Sequence, residues 1–121
     1  MIGYVTIGTN DFARAAKFYD QLLGVLGAKR TMDFGTFVVW NRKGGAGVAL
    51  TRPYDGKAAT VGNGMMVALA AKSKDQVHEI YDKAIALGGT DEGKPGPRGD
   101  GFYAGYFRDL DGNKLNAFYM G

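Results

Sequence analysis

The chain has 121 residues, no cysteine, and a formal net charge of +3 from 15 basic and 12 acidic side chains. This length suits one domain with a buried core, and the lack of cysteine excludes disulfides, thiolate nucleophiles and thiolate metal sites. Because basic and acidic residues are interspersed and no apolar run approaches the ~20 residues of a membrane span, we expect a cytoplasmic protein that binds neither nucleic acid nor membranes.

The first half of the chain predicts one strand, one helix and three more strands. Val5 and Ile7 alternate with polar or small residues in a strand over residues 3–8, and the Thr-Asn-Asp segment that follows supplies a helix cap. The apolar residues of that helix recur at helical spacing as far as Leu26, which predicts one buried face. Further strands are predicted over residues 29–34, 36–42 and 46–52.

The second half repeats this order. Val67 stands 62 positions after Val5 and again belongs to an alternating strand. Ser73 and Gln76 predict a capping box for the second helix, in which each side chain accepts a hydrogen bond from a backbone amide of the first turn. Further strands are predicted over residues 90–93, 102–108 and 113–120, with residues 94–101 as a turn-rich loop.

The repeat indicates that the single domain, residues 1–121, is built from two similar modules. Module one covers about 1–53, module two covers about 64–121, and residues 54–63 form the linker. A half-domain of this kind leaves one face of its sheet uncovered until it pairs with the other half. We therefore expect a ligand, if there is one, between the two faces.

Three segments carry a recognisable pattern: residues 4–11, Ala16-Lys17-Phe18-Tyr19 with Leu23-Gly24, and residues 107–114, which read Phe-Arg-Asp-Leu-Asp-Gly-Asn-Lys. Together they resemble the vicinal oxygen chelate superfamily, which includes glyoxalase I, extradiol dioxygenases, fosfomycin resistance enzymes and bleomycin resistance proteins. The third segment is close to that family's Asp-Pro-Asp-Gly-Asn turn. The resemblance implies an α+β fold, in which two tandem βαβββ modules form a cup-shaped mixed sheet with the helices on its outer face. It also implies a homodimer.

The resemblance further implies where a metal ion would bind. In metal-dependent members each module supplies two ligands, and the matching positions here are Tyr4, Ala49, Met66 and Asn116. None of them offers the carboxylate or imidazole that a divalent ion of this class requires. We therefore expect no metal site and no cofactor.

The candidate ligand-binding residues are aromatic, polar or basic side chains and one methionine, which lie on the predicted strands or close to their ends. They are Tyr4, Thr6, Trp40, Arg52, Asn63, Met66, Tyr103, Tyr106, Lys114 and Asn116. Trp40 either fills the core or offers a stacking surface. Arg52 and Arg98 would favour an anionic ligand, since a guanidinium holds a carboxylate by two parallel bonds. His78, the only histidine, is predicted on the helix surface away from the buried stripe.

Two functions from different classes remain open at this point. The first is a metal-independent protein that binds a small molecule, anionic or aromatic, in the cup between its modules. The alternative is a lyase, isomerase or dioxygenase of the same superfamily with a non-standard or absent metal site, for which no catalytic residue is assigned. A purely structural or partner-binding dimer is a third interpretation.

Overall fold

The computed structural model describes all 121 residues as two compact units, unit one at Met1–Gly62 and unit two at Asn63–Gly121. The elements are, in chain order, β1 Tyr4–Gly8, α1 Phe12–Gly24, β2 Lys29–Asp33, β3 Phe37–Asn41, β4 Gly47–Thr51, β5 Val67–Ala70, α2 Lys74–Ala86, β6 Thr90–Pro97, β7 Phe102–Arg108 and β8 Lys114–Met120. The predicted order of one strand, one helix and three strands, repeated once, is confirmed. No helix is long and apolar enough to cross a membrane.

Unit one is a four-stranded mixed sheet with one helix. Its strand order is β1-β4-β3-β2, with β1 parallel to β4 and the other neighbours antiparallel. The carboxylate of Asp11 caps α1 by accepting a hydrogen bond from the amide of Arg14 at 3.2 Å, as the predicted cap segment requires. Tyr19 and Leu22 lie on the buried stripe of α1. The helix therefore covers one face of its own sheet.

A polar cluster ties α1 to the sheet of unit one. Asp20 on α1 accepts a hydrogen bond from Nε1 of Trp40 on β3 at 2.8 Å, and a bidentate pair from Arg30 on β2 at 2.8 Å for both bonds. The hydrogen bond from Arg30 is the main cause that lowers the pKa of Asp20. Because one carboxylate joins three elements, this cluster fixes the helix against β2 and β3.

Unit two repeats the architecture with strand order β5-β8-β7-β6, β5 being parallel to β8. At the start of α2, Ser73 Oγ accepts from the amide of Gln76 at 3.1 Å. Gln76 Oε1 accepts from the amide of Lys72 at 2.9 Å, one residue before the cap. The capping box is present, but its return bond reaches the residue ahead of the serine.

The strand β6 is longer than the sequence suggested. It runs eight residues, Thr90–Pro97, so the predicted loop over residues 94–101 is wrong for its first half. Its pairing with β7 shifts register on both sides of Gly93, whose φ of 154° is open only to glycine. The glycines of this segment therefore produce irregularities in β6 but do not end it, because pairing with β7 holds the strand in place.

The turn between β7 and β8 is organised by one buried carboxylate. Asp109 Oδ1 accepts from the amides of Asp111 and Asn113 at 3.0 and 2.8 Å, and its Oδ2 accepts from the Asn113 side chain at 2.9 Å. Gly112 adopts a φ of 90° in the same turn. The turn sets the register of β7 and β8, the two strands that carry most of the candidate site.

Candidate functional site

Each sheet has one face covered by its own helix and one face directed away from it, which we call the distal face. Side chains alternate between the two faces along a strand. In unit one, Trp40 contacts α1 through Asp20 and Tyr19, so Val39 and its neighbours in register belong to the distal face. In unit two, Phe107 contacts Tyr81 of α2 with ring centroids 6.5 Å apart, so Tyr106 lies on the distal face.

A row of four residues in register crosses the distal face of unit two. We call it the polar row because its two central members are polar. In register across β6, β7, β8 and β5, this row consists of Gly93, Tyr106, Asn116 and Ala68. Asn116 is only 1% exposed, and its Oδ1 accepts no hydrogen bond. An unsatisfied buried acceptor costs about 1–3 kcal/mol. The fold therefore tolerates a polar group in the centre of this face without a partner for its oxygen.

Two cations lie close to the ring of Tyr106. The guanidinium carbon of Arg98 lies 5.5 Å from the ring centroid, and Nζ of Lys114 lies 5.6 Å from it. Neither side chain forms an ion pair with a carboxylate, whereas Arg108 on the same face pairs with Glu92. The two cations thus remain without a counter-charge beside the polar row.

The guanidinium of Arg98 folds back over two glycines of β6. Its Nη2 donates to the carbonyl of Lys94 at 2.7 Å and its Nη1 to the carbonyl of Pro97 at 3.3 Å. A Cβ at Gly93 would lie 3.3 Å from Nη2, and one at Gly96 would lie 3.2 Å from Nη1. The absence of side chains at both positions leaves room for the guanidinium against the strand.

The next positions along the same face are apolar. Phe118 lies two residues after Asn116 on β8, and its ring stacks on that of Phe102 at 5.6 Å. Across the strands Phe118 pairs in register with Ala104 and Ala70, both of which are small. The distal face of unit two therefore has a cationic and polar end and an aromatic end.

The matching row of unit one has a different chemistry. The register of β1, β3 and β4 places Thr6, Ala49 and Val39 where unit two has Ala68, Asn116 and Tyr106. The rings of Tyr4 and Phe37 approach to 6.1 Å over this face. Ala49 and Val39 are buried. Of the two rows, only that of unit two therefore has a buried polar side chain at its centre.

The structure divides the predicted site residues into several groups. Tyr106, Lys114 and Asn116 lie together on the distal face of unit two, and Tyr4 and Thr6 lie on that of unit one. The other five, Trp40, Arg52, Asn63, Met66 and Tyr103, lie elsewhere.

Two of these five residues face a helix. Trp40 is 2% exposed and belongs to the core of unit one, which favours the core interpretation over a stacking surface. Tyr103 contacts α2, where its hydroxyl lies 2.6 Å from Nε2 of His78. His78 itself is exposed, as predicted.

The other three residues are exposed and lie outside the strands. Met66 immediately precedes β5 and Asn63 lies in the turn before it. Arg52 follows β4 and lines a surface pocket of about 600 Å³ near the start of α1, together with Asn10 and Lys57.

The donors at the four family positions do not fit a divalent metal ion. Tyr4 and Ala49 stand in unit one, Met66 and Asn116 in unit two, and together they offer no carboxylate and no imidazole. No group of three or more His, Cys, Asp or Glu side chains that could hold a metal ion occurs in the structure.

Several residues of the unit two face were missed from the sequence. Gly93 was predicted only as the end of a strand and Gly96 as part of a turn-rich loop, and Phe102 and Phe118 were predicted only as strand residues. The alternation of Lys114, Asn116 and Phe118 along β8 is the sequence signal that would have placed all three on one face.

Comparison with known proteins agrees with this architecture. The model of the Glyoxalase/Bleomycin resistance protein/Dioxygenase superfamily matches residues 1–117. A glyoxalase/bleomycin resistance protein from Albidiferax ferrireducens T118 is 37% identical, with a TM-score of 0.93 over 100% of this chain and 99% of that one. No curated protein matches the sequence significantly.

More distant structures share the fold. A glyoxalase/bleomycin resistance protein/dioxygenase family enzyme from Burkholderia phytofirmans PsJN is 18% identical, with a TM-score of 0.79 over 98% of each chain. A lactoylglutathione lyase from Agrobacterium tumefaciens is 22% identical, with a TM-score of 0.71 over 98% of this chain and 92% of that one. At these identities the likeness concerns the fold alone.

Proposed function

The chain belongs to the Glyoxalase/Bleomycin resistance protein/Dioxygenase superfamily, and we propose that within it this protein binds a small organic molecule without the help of a metal ion. The ligand lies against the distal face of unit two, with the polar row as its main contact. The single observation that carries this proposal is Asn116, a buried amide with an unpartnered oxygen at a position where metal-dependent members hold a ligand.

The residue types at the family's metal positions support the metal-independent part. Ala49 and Met66 lack an oxygen or nitrogen donor in their side chains, and Asn116 offers one neutral carbonyl oxygen. A divalent ion bound by such a set would lose most of its water ligands without gaining anionic replacements. Binding by hydrogen bonds, charge and apolar contact is the chemistry that these side chains can provide.

A metal assay tests this part of the proposal. Protein purified without chelator is equilibrated with Ni²⁺, Mn²⁺, Fe²⁺ or Zn²⁺ and desalted. Its bound metal is then measured by inductively coupled plasma mass spectrometry. We expect far less than one ion per chain and an unchanged melting temperature after EDTA treatment. Tight uptake of one ion per chain would overturn the metal-independent function and favour the enzyme alternative, a lyase, isomerase or dioxygenase.

Thermal-shift screening tests the binding part. A ligand that binds the folded chain raises its melting temperature by mass action. We expect stabilisation by a subset of small organic compounds in a library that includes neutral, anionic and cationic members. A library that leaves the melting temperature unchanged throughout would contradict the proposed function.

We also propose that the protein is a homodimer, as the family resemblance implied. Large apolar side chains are exposed in unit one, among them Ile2, Met32 and Phe34. Exposed apolar groups of this size favour association. Light scattering coupled to size exclusion should give twice the mass of one chain, and the mass of a single chain at micromolar concentration would contradict the dimer.

A further inference from the structure

We propose that the distal face of unit two binds aromatic carboxylates, with Arg98 and Lys114 holding the carboxylate beside Tyr106 and with Phe118 contacting the ring. This inference rests on the proposed function and names the class of ligand for it. It concerns residues of unit two alone.

The charge of the face favours an anion. Arg98 and Lys114 both approach the ring of Tyr106 and neither has a carboxylate partner. The third cation of the face, Arg108, is neutralised by Glu92. Both positive groups lie no more than 5.6 Å from the same ring centroid, and an anion beside that ring gains a favourable electrostatic interaction with each of them. A ligand carboxylate supplies that counter-charge.

Arg98 is already positioned for such a ligand. Two of its N–H groups are used by the carbonyls of Lys94 and Pro97, and a guanidinium has five donors. Gly93 and Gly96 leave the space in which the guanidinium lies. A cation held in place before binding loses little side-chain freedom when the anion arrives, so more of the interaction appears as affinity.

The aromatic part of the ligand follows from the spacing along β8. Residues two apart on a strand lie on the same face about 7 Å from each other. Lys114, Asn116 and Phe118 therefore place a cation, an amide and an aromatic ring in sequence along one line. Ala68 and Ala70 on the neighbouring strand are exposed and small, which leaves space for a flat ring beside Phe118.

Asn116 adds a preference for a hydrogen-bond donor on the ligand. Its Oδ1 has no partner and lies between the cationic and aromatic ends of the face. A hydroxyl on the ligand ring can donate to this oxygen after the amide rotates toward it. The bond removes the cost of the unsatisfied acceptor, so a hydroxylated aromatic carboxylate binds better than its methyl ether.

Calorimetric titration with three matched probes tests the inference on the full chain. 3-Hydroxybenzoate has the anion and the donor, 3-hydroxybenzamide lacks the anion, and 3-methoxybenzoate lacks the donor. We expect 3-hydroxybenzoate to bind most tightly and the benzamide to bind roughly tenfold more weakly, because the charge-assisted bonds are lost. The methyl ether should bind roughly threefold more weakly.

Variants assign the effect to the face. Arg98→Gln and Lys114→Met should each weaken binding of 3-hydroxybenzoate at least about fivefold and reduce the preference over the benzamide. Arg42→Gln is the matched control, because Arg42 is an exposed arginine of unit one. Circular dichroism of each variant verifies that it folds. Equal losses in Arg42→Gln and Arg98→Gln would overturn the assignment.

The outcomes separate this inference from the proposed function. If the benzoate and the benzamide bind equally, the carboxylate subsite is wrong while small-molecule binding stands. If none of the three probes binds at millimolar concentration but neutral library compounds stabilise the chain, the same conclusion holds. If no compound binds in either assay, both are wrong.

Discussion

Asn116 lies directly opposite Tyr106 on the paired strands β8 and β7, and these two residues form the centre of the polar row of unit two. The equivalent pair in unit one is Ala49 and Val39, which are buried and apolar. Two units with the same architecture therefore carry different chemistry at matching positions. This asymmetry is the reason for proposing that unit two recognises the ligand.

Replacing Asn116 should stabilise the fold. Asn116→Leu removes an unsatisfied buried oxygen and keeps a similar volume, so we expect the free energy of unfolding to rise by about 1 kcal/mol. Asn113→Leu is the control, because Asn113 donates to the buried Asp109 and its loss should lower stability by about 1 kcal/mol. Urea unfolding measures the free energy of unfolding of both variants. Equal destabilisation of the two would contradict the conclusion that the oxygen of Asn116 is unsatisfied and costs stability.

Filling the space beneath Arg98 should weaken carboxylate binding with little change in stability. In Gly96→Ala the new Cβ would lie 3.2 Å from Nη1 of Arg98, so the guanidinium must move. We expect the affinity for 3-hydroxybenzoate to fall roughly threefold or more. Gly3→Ala is the matched control, since nothing lies within 4 Å of its Cβ. Unchanged affinity in Gly96→Ala would show that the position of Arg98 does not matter.

Asp20→Asn should remove a pH-dependent contribution to stability. The pKa of Asp20 is lowered from 3.8, so its ionised form stabilises the fold above that pH and the contribution is lost as pH falls through the folded pKa. At neutral pH the variant should be less stable than wild type by about 1 kcal/mol. The loss is no larger because Asp20 and Arg30 are both partly exposed, and solvent weakens their ion pair. The difference from wild type should shrink below about pH 4.

Urea unfolding at neutral and acid pH measures the effect of Asp20→Asn. Asp82→Asn, an exposed carboxylate on α2, is the control and should behave like wild type at both pH values. A constant difference between Asp20→Asn and wild type across the pH range would contradict the role of the ion pair with Arg30.

Tyr81 should ionise late in a spectroscopic titration. Burial, and then the hydrogen bond that its hydroxyl donates to Asp91 at 2.7 Å, raise its pKa to about 12. We expect one of the seven tyrosines to titrate at about pH 12, and Tyr81→Phe to remove this step. Persistence of the late step in Tyr81→Phe would assign it to another tyrosine.

The sequence predicted the fold well because the fold depends on local signals. The caps at Asp11 and Ser73 and the turn at Asp109 all form where the residue types indicate. The end of β6 could not be predicted, since Gly93, Pro95 and Gly96 disfavour a strand locally and only pairing with β7 maintains it.

The candidate site was predicted only in part, because face assignment depends on register. Tyr103 and Tyr106 are three residues apart on β7, so they point to opposite faces, and only Tyr106 belongs to the polar row. Arg98 was recognised as a candidate cation, but its contact with Tyr106 depends on the backbone of β6. No local pattern indicates that contact.

The most direct measurement is to map amide chemical-shift changes in ¹⁵N-labelled protein during titration with 3-hydroxybenzoate. The account predicts that the largest changes fall on β7, β8 and the end of β6, around Tyr106, Asn116 and Arg98. Changes confined to unit one, for example around Arg52 and the start of α1, would contradict it.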